Sequence, residues 1–175
     1  PIVFERGADA DKRKKIVDGF KNGQNLDTTT NVQFGEGGAG TFSDGKLTTR
    51  INDPLCEFVL RELVKFGAPK EIIQKSKPHI GTDNLRNVVK NIDKEIRKLG
   101  GEIMYNTKLT SFSDSVIYTN KGEIPYSSLV LAIGHSARDT YEYLLDSGFA
   151  VEPKVFSVGV RVEHFFNLCK NPPHN

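Results

Sequence analysis

The stretch NVQFGEGGAGTFSDGKLTT (Asn31–Thr49) decides how the rest of the chain is read. It spells two phosphate-binding expressions at once. Gly35, Gly37 and Gly40 match G-x-G-x-x-G, the dinucleotide fingerprint, while Gly40, Gly45 and Lys46 match the front of a P-loop. Neither match survives its context. The fingerprint needs a strand before it and a helix directly after it, whose amides and positive end meet the pyrophosphate. Only Asn31–Phe34 stand ahead of Gly35, and Ser43, Asp44 and Gly45 signal turns. A P-loop lysine is followed by Ser or Thr to ligate Mg²⁺, whereas Leu47 follows Lys46 and Thr48 is one place out of register.

Three readings remain for the loop. Its glycines let backbone approach a large ligand, with Thr41, Ser43 and Lys46 offering hydroxyls and a charge. Alternatively it is a phosphate nest in a nucleotide- or anion-binding domain without redox chemistry. In the third reading the glycines serve turns alone.

Upstream, IVFERG (Ile2–Gly7) has the form of the second strand of a dinucleotide-binding unit, with Glu5 placed for a ribose hydroxyl pair. Ile2–Phe4 is expected as a buried strand, and the fingerprint proper would then lie upstream of Pro1. The opening without methionine and the close on NPPHN suggest a piece of a longer protein. DKRKK (Asp11–Lys15) reads as a solvated helix end, with a short helix over about Arg13–Phe20.

Downstream, Asp53 suits an N-cap and Pro54 a first helical position, with Leu55, Phe58, Val59, Leu63 and Phe66 as one apolar stripe. A short helix is expected within Pro69–Ser76. Thr82 is expected to cap a helix carrying Leu85, Val88, Val89, Ile92, Ile96 and Leu99 at helical spacing and ending at Gly100. Strands follow at Glu102–Tyr105 and Lys108–Phe112, then a hairpin of Val116–Thr119 and Glu123–Tyr126 around Asn120-Lys121-Gly122. SLVLAIG (Ser128–Gly134) is apolar at successive positions, the mark of a strand buried on both faces. Ser136 is placed to cap a helix with Tyr141, Leu144 and Leu145, and a last strand is expected over Val155–Val162. The class is α/β.

Bulk properties narrow the function. The 175 residues carry 24 basic against 22 acidic side chains, net +2, with the lysines scattered, so no basic stripe points to nucleic acid. No apolar run approaches the ~20 residues of a membrane span, and no signal-peptide pattern opens the chain. Cys56 and Cys169 have neither zinc nor redox-pair spacing, so reduced thiols in a cytoplasmic protein are expected, with no metal.

Five motifs in order carry a resemblance: VFERG (Val3–Gly7), the Asn31–Thr49 loop, KPHIGTDNL (Lys77–Leu85), LAIGHSARDTY (Leu131–Tyr141) and SVGVRVEH (Ser157–His164). Together they resemble the bacterial FAD-dependent dehydrogenases, largely uncharacterised NAD(P)/FAD-dependent oxidoreductases of the glutathione-reductase-like superfamily. The resemblance runs from Pro1 to about Leu168. It implies a partial FAD-binding Rossmann-like three-layer domain (1–50 and 82–140), a helical insertion (51–81) and the start of a substrate-binding domain (141–175). Glu5 would bind the adenosine ribose of FAD, with Arg6 near the adenine or pyrophosphate. Gly35, Gly37, Gly38, Gly40, Thr41, Ser43, Gly45, Lys46 and Leu47 would line the pyrophosphate and flavin. Ala132 and Gly134 would let the LAIG strand end approach the dinucleotide, Ile133 standing where the superfamily has Thr, and Lys108–Ser111 would pass the adenine. A late Gly-Asp element of the family would follow Asn175. A chain without it and without the upstream fingerprint would not retain FAD.

Flavin enzymes leave hydride transfer to the cofactor, with NAD(P)H or an organic substrate as reductant. His79, His135 and His164 are the candidate acid–base histidines within these motifs. His135 and Arg138 follow the LAIG strand end, where parallel sheets place ligands. Arg161 suits an anionic small-molecule substrate or a surface pair with Glu163. No Ser-His-Asp order or paired-carboxylate spacing selects a catalytic acid or base.

Overall fold

Strand β1 (Ile2–Phe4) finds its partner a hundred residues later in β2 (Glu102–Met104), which runs parallel to it with Ile2 opposite Glu102. This computed structural model describes residues 1–42, 45–47, 49, 51–74, 78–156 and 158–160. Ser43, Asp44, Thr48, Arg161, His164 and Cys169 lie outside the described residues. The fold is mixed α/β, with β1 and β2 in one sheet and a three-stranded antiparallel sheet of β3 (Leu109–Phe112), β4 (Val116–Thr119) and β5 (Gly122–Pro125). The hairpin forms where expected, with Thr119 opposite Gly122 across Asn120-Lys121.

Helix α1 (Ala10–Lys21) begins earlier than the expected Arg13 because the Asp9 side chain accepts the Lys12 amide and so caps it. Among the described residues, helices α2 (Pro54–Lys65), α3 (Thr82–Lys98) and α4 (Arg138–Asp146) complete the set, with 3-10 turns at Ala39–Phe42 and Lys70–Ile73. Asp53 caps α2 by accepting the Leu55 amide. Thr82 and Ser136 do not take the cap positions expected of them: Gly81 and Ala137 do, neither with a side-chain bond. Val88 of α3 packs with Ala68, Ile72 and Ile80 in one apolar cluster, flanked by Leu63 and Leu47. Leu55, Phe58 and Val59, on the expected stripe of α2, stay exposed instead, because the cluster lies against its Leu60, Leu63 and Val64 side.

Four further expectations need correction. Arg13, expected on a solvated helix end, is fully buried at 0% exposure, on the same α1 face as Ala10 and Val17. Residues 128–134 belong to no strand, and Val130 is 86% exposed, because among the described residues no neighbouring strand supplies a ladder for them. Similarly, Val155, Phe156, Val158 and Val160 lie outside any strand and are exposed. Strand β1 does form, yet Ile2 and Val3, which point to opposite faces, remain 47% and 42% exposed, since among the described residues β1 has β2 as its single strand neighbour. Among the described residues no helix is long and apolar enough to cross a membrane.

Candidate functional site: the cleft at the end of β1

Glu5 leaves β1 at its carboxyl end, and its Oε1 accepts the amides of Gly7 at 2.8 Å and Gly35 at 3.0 Å. The glycine loop is thus tied to the strand end by one carboxylate oxygen. Around it β2 turns back, the Thr107 amide donating to the Glu5 carbonyl and the Asn106 amide to the Gly7 carbonyl, both at 2.8 Å. The approach of the two segments requires glycine: a Cβ on Gly7 would stand 2.7 Å from Gly35 Cα. At Gly35 itself φ is +122° and a Cβ would overlap the Arg13 side chain.

Arg13 supports this loop from beneath. Its Nε donates to the Asn31 carbonyl at 2.9 Å, and its Nη1 to the carbonyls of Gly35 and Glu36 at 3.1 and 2.6 Å. Burial lowers its pKa to about 10 against the opposing attraction of Glu5 and Glu36, so it stays a cation at neutral pH. Glu36 is buried too, one oxygen accepting the Ala10 amide at the start of α1. Nearby, burial and a hydrogen bond to Asp93 raise the Tyr105 phenol above its ordinary range.

The strand end opens onto a cleft of about 810 Å³. Glu5, Arg6, Phe34 and Gly38 line one part of it, and Ala132, Gly134 and His135 approach from the later segment. Thr107 and Leu109 contribute as well, Leu109 from the Lys108–Ser111 stretch expected to pass the adenine. Arg6 reaches the cleft already engaged. Its guanidinium holds Asp139 of α4 at 2.7 and 2.8 Å and lies 4.5 Å from the centre of the Phe34 ring. Burial pushes the Asp139 carboxyl up, yet hydrogen bonds from Lys108 and Arg6 outweigh it and hold it down at about 2.

The other expected site residues divide clearly. Thr41 is buried, its hydroxyl donating to the Glu36 carbonyl at 3.2 Å and so serving the loop. Gly45, Lys46 and Leu47 sit beside Pro78–Ile80: Lys46 bridges to His79, and the Leu47 amide donates to the Pro78 carbonyl at 2.9 Å. They do not line the cleft, nor do Gly35, Gly37, Gly40 and Arg138. His79, His135 and Arg138 are exposed. Sequence reasoning missed Arg13, Phe34, Thr107 and Asp139. For Arg13 a signal was present, because Ala10, Arg13 and Val17 share one helical face. Among the described residues no group of His, Cys, Asp and Glu is placed to hold a metal ion.

No protein-family model matches the chain. Its sequence is similar to an uncharacterized protein of Clostridium beijerinckii. The two are 54% identical over 170 residues, covering 94% of this chain and 32% of that protein. The chain spans about a third of the length of the curated relative it matches.

Proposed function

We propose that this chain is part of an FAD-dependent oxidoreductase, its β1–α1 region and glycine loop forming part of a Rossmann-like cofactor domain. The observation that carries the proposal is Glu5: a carboxylate at the carboxyl end of a parallel strand, lining a cleft of about 810 Å³ beside Gly38, Ala132 and Gly134. The residues fit such a ligand. The cleft lies within the ~300–1,000 Å³ typical of small-molecule sites, Glu5 supplies an acceptor for paired hydroxyls, and Phe34 an aromatic wall. Flavin, when bound, supplies hydride transfer between a nicotinamide or organic substrate and an acceptor.

The chain's own contribution is placement. Glu5 fixes the loop and receives hydroxyls, while Arg6, held by Asp139 and Phe34, keeps a positive charge at the cleft edge. His135 lines the cleft and is our candidate for proton exchange with the substrate. The non-redox phosphate-nest alternative has less support, because the Gly35, Glu36 and Gly38 amides already donate to Glu5, Ala8 and Gly35.

The test is spectroscopic. The Clostridium beijerinckii relative, purified at full length, should be yellow and absorb at about 450 nm, whereas the 175-residue chain should be colourless. A colourless relative that takes up no added FAD overturns the assignment.

A further inference from the structure

Helix α1 ends on Lys21-Asn22-Gly23, and Asn22-Gly23 is the one Asn-Gly pair in the 175 residues. A Schellman motif closes that end: the Gly23 amide donates to the Phe20 carbonyl and the Gln24 amide to the Gly19 carbonyl, both at 3.0 Å. Gly23 takes the left-handed position at φ +93°, and an added Cβ there would meet open space. Asn22 is exposed, and its carboxamide is bonded to none of the described residues. An amide carbon thus stands beside a backbone nitrogen that no following side chain shields. Closing a ring between the two needs the Gly23 nitrogen beneath the Asn22 Cβ. The Asn22 ψ of 17° instead eclipses it with Asn22's own nitrogen, and its N–H is held by Phe20. The closed motif therefore locks the pair against reaction. Helix ends fray, however, at little cost in free energy.

We propose that Asn22 is a site of spontaneous deamidation, gated by opening of the Schellman motif. In the frayed end the Gly23 nitrogen gives its proton to solvent base and attacks the Asn22 Cγ. The new N–C bond closes a succinimide, and the side-chain nitrogen takes up a proton and leaves as ammonia. One water then opens the ring at either carbonyl, leaving aspartate or isoaspartate, and no electrons change hands. Both products keep the end open. The new carboxylate sits at the negative end of α1, where an anion is disfavoured. Isoaspartate also lengthens the main chain by one carbon, moving Gly23 and Gln24 out of register with Phe20 and Gly19. A passing fluctuation of the helix end thus becomes a permanent loss of its cap. The segment so released runs to Asn31, whose carbonyl Arg13 holds beneath the glycine loop. None of this rests on the flavin assignment.

The 175-residue chain is incubated in mildly alkaline buffer, folded or in guanidinium chloride, and its tryptic peptide Asn22–Lys46 is sequenced by mass spectrometry. In the folded chain Asn22 should exchange NH2 for OH at least tenfold faster than Asn25, which is also exposed but precedes Leu26. Denaturant should speed the change at Asn22 at least tenfold further, because it removes the motif. Gly23→Ala in denaturant, where the gate is absent, should slow it through the added side chain alone. Asn22→Asp, which carries one of the two products, should speed amide hydrogen exchange at Gly23 and Gln24 in the folded chain. Asn22 reacting no faster than Asn25 overturns the site, and equal rates with and without denaturant overturn the gate. Aspartate without isoaspartate overturns the cyclic route, and unchanged exchange in Asn22→Asp overturns its permanence.

Discussion

Glu5 and Gly35 are thirty residues apart in sequence and joined by a 3.0 Å hydrogen bond from the Gly35 amide to the Glu5 carboxylate. The same oxygen accepts the Gly7 amide, so one side chain fixes both the exit of β1 and the start of the glycine loop. Glu5→Ala should leave both amides without that acceptor and destabilise the chain by about 1–3 kcal/mol in urea denaturation. Glu5→Gln keeps a carbonyl oxygen and should lose less. If Glu5→Ala denatures like the parent, the bond is not a structural tie.

Arg13 is expected to be among the most sensitive positions in the chain. Arg13→Met removes the buried donor to three carbonyls and the cation that attracts Glu36 through space, a loss of about 1–3 kcal/mol. Arg13→Lys should rescue little, because an ammonium cannot reproduce the guanidinium fork. Circular dichroism melts of the three proteins decide this, and a stable Arg13→Met variant would refute the buried-support role.

The loop glycines should separate into two kinds. Gly35→Ala meets the Arg13 side chain at φ +122° and should destabilise by more than about 1 kcal/mol. At Gly40 the nearest atom to an added Cβ is Leu85 Cδ2 at 3.9 Å, so Gly40→Ala should fold as well as the parent. Thermal melts of the two variants check this, and a Gly35→Ala protein that melts with the parent would remove the constraint.

Asp139 should contribute an acid-sensitive part of stability. Its carboxyl is held at about 2 against an unperturbed 3.8, so the folded state favours the ionised form. That contribution is fully present above about pH 4 and disappears as pH falls through about 2. The melting temperature of Asp139→Asn should lie below that of the parent at neutral pH, with the gap closing under acid. A gap that is constant with pH would assign the loss to packing, not to the pairs with Arg6 and Lys108.

The elements legible in the sequence were those whose signals are local. Asp53-Pro54 announced α2, the 3.6-residue spacing of Val88 and its neighbours announced α3, and Asn120-Lys121-Gly122 announced the hairpin. Val130 shows the opposite case. An apolar run states that a segment wants cover, but a strand exists only when another strand pairs with it, and among the described residues none does. Of the residues singled out by motif, Glu5, Arg6, Gly38, Ala132 and Gly134 line one cleft. Asp139 and Phe34 were not singled out, because their role is to hold Arg6, a pairing across 133 residues that no local pattern encodes.

The pairing of Ile2 with Glu102 also sets an order of events. Closing a loop of that length costs more entropy than any helix or hairpin here, so the β1–β2 ladder should form after α1, α3 and the β3–β5 hairpin. During synthesis at about 5–20 residues per second, β1 waits on the order of 5–20 s for its partner to emerge. Through that interval Ile2, Val3 and Phe4 form an unpaired apolar strand. Ile2–Phe4 is therefore open to aggregation until Met104 has been made.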